Sequence, residues 1–111
     1  MTTVTFRTDG GRITGFTSQG HSGHAEAGSD IVCAAVTSAI RYLEATVNDV
    51  LGLAASVRVR DTEPPLIAFR LPGGLSAELD DTTQALMAGL MVYLSQLHSE
   101  YPNAVEVYEE T

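Results

Sequence analysis

The chain contains a single cysteine and no lysine, and both scarcities narrow what its 111 residues can do. One cysteine cannot form an intramolecular disulfide. The six basic residues are all arginine, set against 14 Asp and Glu for a formal net charge of −8, and no basic run exists to neutralise a phosphate backbone. Direct nucleic-acid binding is therefore not expected. An acidic surface of this kind suits a basic protein or peptide, or simply serves solubility. No apolar run approaches the roughly 20 residues that cross a bilayer, because Arg41, Glu44, Gln84 and Gln96 interrupt the apolar segments. The first residues, MTTVTFRT, alternate as a strand does and hold no apolar signal core, so a soluble, cytoplasmic protein is expected, with no membrane partner. Cys and His show no zinc-like spacing, so neither a metal nor a cofactor is expected.

A chain of this length is expected to form one domain over residues 1–111, which puts function on the core fold or on its loops. Val4 and Phe6 alternate with threonines, Asp9, Gly10 and Gly11 form a turn, and a second extended run follows from Arg12 to about Ser18. Between Gln19 and Ser29 the composition shifts to Gly, Ser, His and Ala. Glycines at 20, 23 and 28 let that loop move at low steric cost. Ser29 or Asp30 is placed to cap a helix in which Val32, Val36, Ile40, Leu43, Val47 and Val50 recur at spacings of three and four, ending at Gly52. Ser56–Arg60 and Leu66–Leu71 read as a second antiparallel pair. A second helix spans about Ser76–Glu100, with Leu79, Leu86, Leu90, Leu94 and Leu97 on one stripe and Met87 and Met91 beside it, and Ala104–Glu109 alternates as a last strand. The order is ββαββαβ. The fold class is α+β, with two long helices covering a single, largely antiparallel sheet and a loop before the first helix.

Cys33 and His21 are the residues most suited to chemistry. A lone cysteine beside Val32, Ala34 and Ala35 is commonly a small buried hydrophobe. Position argues otherwise: at the third or fourth residue of a helix the sulfur meets the positive end of the dipole and unsatisfied amides, which favour the thiolate. Those amides also suit an oxyanion hole. His21 and His24 lie just upstream, and histidine can both hold a thiolate ionised and deliver a proton to a leaving group. Asp30 reads most simply as a helix cap, and His98 as a partner of the second helix's C-terminal dipole or an exposed side chain.

GH at 20 and 21, the small residues through Gly28, and DIVCAAVTSAI from Asp30 closely resemble the signature of the ribosomal-processing cysteine protease family, Prp. The specific motif covers about residues 20–40, while length and element order agree along the whole chain. The resemblance implies a dyad of His21 and Cys33, with Gly20 and Gly28 as loop glycines, Asp30 as the motif's aspartate, and Thr37 where members often carry serine. It also implies removal of a short N-terminal extension from the precursor of ribosomal protein bL27, by a homodimer. Ser22 stands where alanine is common after GH. His24 occupies a variable place closer in sequence to Cys33, which keeps it as an alternative base. The competing reading is a non-catalytic ribosome-associated or assembly module with structural Cys and His. A thiol-dependent enzyme of small molecules is a third, which requires a preformed pocket rather than an open groove.

Overall fold

The computed structural model describes residues 1–20, 29–61 and 65–111. Strands β1 (Thr2–Asp9) and β2 (Arg12–Gln19) pair across Gly10 and Gly11, whose φ values of 58° and 80° are the left-handed pair that a two-residue type I′ hairpin needs. Helix α1 (Ser29–Glu44) follows, then strands β3 (Ser56–Arg60) and β4 (Leu66–Arg70), helix α2 (Ala77–Glu100) and strand β5 (Val105–Glu110). The sheet order is β3-β4-β2-β1-β5, antiparallel at every pairing except β1 with β5. The expected α+β class and ββαββαβ order are both observed.

Period-two alternation sorts the strands into two faces. Val4 and Phe6 of β1, Phe16 of β2, Phe69 of β4 and Val105 of β5 are buried towards the helices. Register places Phe6 opposite Phe16 and Phe16 opposite Phe69, so the rings form a row with centroids 5.5 Å and 5.1 Å apart. Helix α1 brings Val32, Val36, Ile40 and Leu43 to this layer, and α2 brings Met87, Leu90, Leu94 and Leu97. The buried line of α2 runs Thr83, Met87, Leu90, Leu94 and Leu97. Met87 is therefore central rather than lateral, and Leu79 and Leu86 of the expected leucine stripe are only half-buried. Thr83 tolerates this position because its hydroxyl donates to the Asp80 carbonyl at 3.1 Å.

Helix ends follow local chemistry. The Ser76 hydroxyl accepts from the Leu79 amide at 3.2 Å, and Glu78 and Asp80 sit near the positive end of the α2 dipole. Gln84 then anchors α2 to β2, its side-chain amide accepting from Ile13 N at 2.7 Å and donating to Ile13 O at 2.8 Å. Beyond α1, the continuous helix expected up to Gly52 becomes a π-helical segment, Ala45–Val50, closed by Leu51 N donating to Thr46 O at 2.9 Å. Val47 of the expected stripe is buried there, whereas Val50, its last member, is 76% exposed.

Gly15 lies in β2 opposite Arg70, and a Cβ there would come within 2.4 Å of the Phe69 carbonyl oxygen. Gly15→Ala should therefore lower unfolding stability in urea by about 1–3 kcal/mol, as overpacking does. Gly73→Ala, whose added Cβ meets nothing within 4 Å, should stay close to wild type. Equal stability of the two variants means that β2 and β4 do not approach so closely.

Candidate active site

The site is built where β2 leaves the sheet and α1 begins. Gly20 follows β2 with φ 79°, a value that favours glycine, and its amide donates to the Pro65 carbonyl at 3.0 Å. Its own carbonyl accepts from the Thr2 hydroxyl at 3.5 Å, and a Cβ on Gly20 would lie 2.8 Å from the Met1 carbonyl oxygen. The motif glycine is thus pinned between the start of β1 and the residue preceding β4. Nothing in the local sequence announces Met1, Thr2 and Pro65 as its neighbours, since all three contacts depend on how the strands pair.

Helix α1 is described from Ser29, and the expected cap, which involves the residue before it and the side chains of Ser29 and Asp30, lies outside the described residues. Cys33 is the fifth described residue of α1. The expected oxyanion donors are the amides at the N-terminal end of this helix. Val32 and Val36, at 2% and 1% exposure, lock the first two turns of α1 onto the core. Cys33, rotated about 100° from Val32, falls on the helix shoulder as a half-buried free cysteine, next to Ile31, which is 73% exposed. That position keeps Cys33 partly exposed, with its backbone held by the core contacts of Val32 and Val36. The expected buried-hydrophobe alternative does not describe it, because Cys33 is absent from the buried core.

His21, His24 and Gly28 lie outside the described residues, so the proposed dyad has one described member. His98 is described and has a structural partner: its Nδ1 lies 2.7 Å from the Val105 carbonyl, which accepts only, so Nδ1 carries the proton and donates. This bond ties the end of α2 to the start of β5, a role that helix-dipole reasoning did not find. Among the described residues no three His, Cys, Asp or Glu side chains converge as a metal site, and no helix is long and apolar enough to cross a membrane. The main concavities of the described residues lie on the bare sheet face, at the hairpin end, between α2 and β5, and between α1 and α2; Cys33 lines none of these.

The family model described as cysteine protease Prp matches residues 1–106. A search of the curated proteins found no match. Among solved structures, the chain is similar to SMU.848 from Streptococcus mutans, with 23% identity, TM-score 0.87, and coverage of 100% of this chain and 95% of that one. It is also similar to the essential ribosomal processing protease Prp from S. aureus in complex with a substrate peptide, with 23% identity, TM-score 0.75, and coverage of 99% and 100%. The same S. aureus protease with a covalently linked product peptide gives 24% identity, TM-score 0.72 and the same coverage.

Because Cys33 stands outside the core, Cys33→Ala should change unfolding stability by less than about 1 kcal/mol and leave the circular dichroism spectrum unaltered. A loss on the order of 2 kcal/mol or more, the range of core truncations, would return this cysteine to a packing role.

Proposed function

The chain belongs to the cysteine protease Prp family, and on that premise we propose that it removes the N-terminal extension of the ribosomal protein bL27 precursor, with Cys33 as nucleophile. What carries the reading is Cys33 itself, a half-buried free thiol towards the N-terminal end of α1. Family membership also sides with hydrolysis over a non-catalytic assembly module. The S. aureus neighbours hold peptides, which favours a peptide over a small molecule as substrate class.

In the proposed reaction the Cys33 thiolate attacks the scissile carbonyl carbon, and first-turn amides of α1 stabilise the resulting oxyanion. His21 donates its proton to the departing amine as the C–N bond breaks, leaving a thioester on Cys33. The now neutral imidazole takes a proton from water, the hydroxide attacks the thioester, and the new carboxyl terminus leaves as the thiolate reforms. The net charge of −8 favours encounter with a strongly basic ribosomal protein and acts more on the association rate than on affinity. Processing of a ribosomal protein places the reaction in the cytoplasm.

We also propose that the enzyme is a homodimer joined through the seam between α1 and α2. Ala39, Tyr42, Leu86, Gly89 and Tyr93 line an apolar hollow of about 310 Å³ there, and Tyr42 is 75% exposed. Met91, which the sequence pattern places on the same broad stripe, is instead half-buried in the groove between α2 and β5. A two-fold pair is the commonest way to cover such a seam.

Incubation of the purified protein with its host's bL27 precursor, read by product mass, should show one cut that Cys33→Ala abolishes. His21→Ala should slow cleavage by about two to four orders of magnitude, whereas His24→Ala should change it little. Equal losses, or a reversed order, would give His24 a share of the acid-base role or all of it. An intact precursor after prolonged incubation with wild-type protein overturns the substrate assignment.

Light scattering at micromolar concentration should report twice the chain mass of 11.8 kDa. Tyr42→Glu should then shift the protein towards monomer without loss of helix content. A monomeric wild-type protein with full activity removes the dimer and leaves the Cys33 chemistry untouched.

A further inference from the structure

The sheet face turned away from the helices plays no part in the chemistry above, yet it is where the chain concentrates positive charge. Cross-strand register puts Arg7, Gly15, Arg70 and Ser56 in one row and Thr5, Thr17, Ala68 and Arg58 in the next. Gly15 and Ala68 are small, so the middle of these rows sinks below the longer side chains. A concavity of about 280 Å³ results, rimmed by Arg7, Arg58 and Arg70 with the hydroxyls of Thr5, Thr17 and Ser56. That volume lies just below the usual range of about 300–1,000 Å³ for small-ligand sites.

The pairing of the arginines separates this cluster from an ordinary solvated face. Elsewhere, Arg12 is held by Asp80, and Arg41 lies 3.7 Å from Glu44. Arg7, Arg58 and Arg70 make no ion pair among the described residues, although the chain carries 14 carboxylates for six arginines. Glu110, the one acidic residue lining the concavity, stands in register with Arg7 without forming an ion pair with it. Three guanidiniums on neighbouring strands repel one another, and an anion between them relieves that repulsion. Guanidinium forks match phosphate oxygens bidentately, and the surrounding hydroxyls add further donors.

We propose that this face binds a small molecule carrying two or more linked phosphates, held by Arg7, Arg58 and Arg70. Arg7 and Arg70 sit two strands apart, about 10 Å at the backbone, so their long side chains can converge on adjacent phosphates. Phe16 and Phe69 line the concavity but turn their rings into the core, so recognition falls on the phosphates rather than on a stacked base. A long polyanion such as RNA fits less well, because a chain of net charge −8 repels whatever extends beyond the pocket. The site is separate from the catalytic one: Gly15 is five residues along β2 from Gly20, about 16 Å, and α1 lies on the opposite face.

Calorimetric titration of the whole protein with pyrophosphate should give saturable binding, with orthophosphate weaker by about tenfold or more. Arg58→Gln and Arg70→Gln should each weaken pyrophosphate binding by about tenfold with unchanged thermal unfolding, and Arg41→Gln should leave it intact. Adenosine diphosphate binding at least as tightly as pyrophosphate assigns the site to nucleotides, and weaker binding assigns it to free condensed phosphate; both keep the site. No binding of pyrophosphate at millimolar concentration, binding indifferent to both arginine variants, or tighter binding of a single-stranded RNA through the same arginines overturns it. These readouts are binding measurements, so they stand or fall independently of peptide hydrolysis by Cys33.

Discussion

The row formed by Phe6, Phe16 and Phe69 is the contact on which the rest of this molecule depends. They are the only phenylalanines in the chain, each is at most 3% exposed, and they come from three different strands. Burying each contributes on the order of 1.5–3 kcal/mol, and the row sets the register of β1, β2 and β4 at once. A slip of one residue would turn the rings to solvent and drive threonine or arginine under the helices. Both helices take their seats from this layer, with Val36 and Ile40 of α1 and Met87 and Leu94 of α2 among the most fully buried side chains.

The placement of Cys33 follows from that seating. Val32 and Val36 hold the first turns of α1 against the core, so the neighbouring position, Cys33, is carried to the shoulder of the helix with little freedom to move. Gly20, which precedes the residues containing His21 and His24, is held by Pro65 and Thr2. The sheet thus fixes Gly20 and the core fixes the backbone around Cys33, which is itself partly exposed. Core packing thus positions Cys33 directly.

The two faces of the sheet have been put to different uses. One is apolar and covered by both helices; the other is polar, with Arg7, Arg58 and Arg70 exposed beside threonines and the acidic residues of β5. Antiparallel sheets tolerate such a split because their side chains alternate, and only one face must be kept dry. In a strongly acidic chain, three arginines on the wet face that make no ion pair among the described residues are a departure from the overall charge pattern. That departure is the physical basis for assigning the face a ligand.

Local repeats were legible in the sequence because they report the backbone's own period. Alternation at Val4 and Phe6, the glycine pair at 10 and 11, and apolar spacings of three and four in the helices give the ββαββαβ order and the position of Cys33 at a helix start. The GH and DIVCA halves of the motif supply the family. Spacing does not decide what lies beside what. The parallel seating of β5 against β1, the His98 bond to Val105, the pinning of Gly20 by Met1, Thr2 and Pro65, and the gathering of Arg7, Arg58 and Arg70 all join residues distant in sequence or on different strands. Met87, rather than Leu79 or Leu86, became central on α2 because burial there depends on how the helix is rolled onto the sheet. Periodicity defines a stripe, and only the packed partner decides which edge of that stripe goes inside.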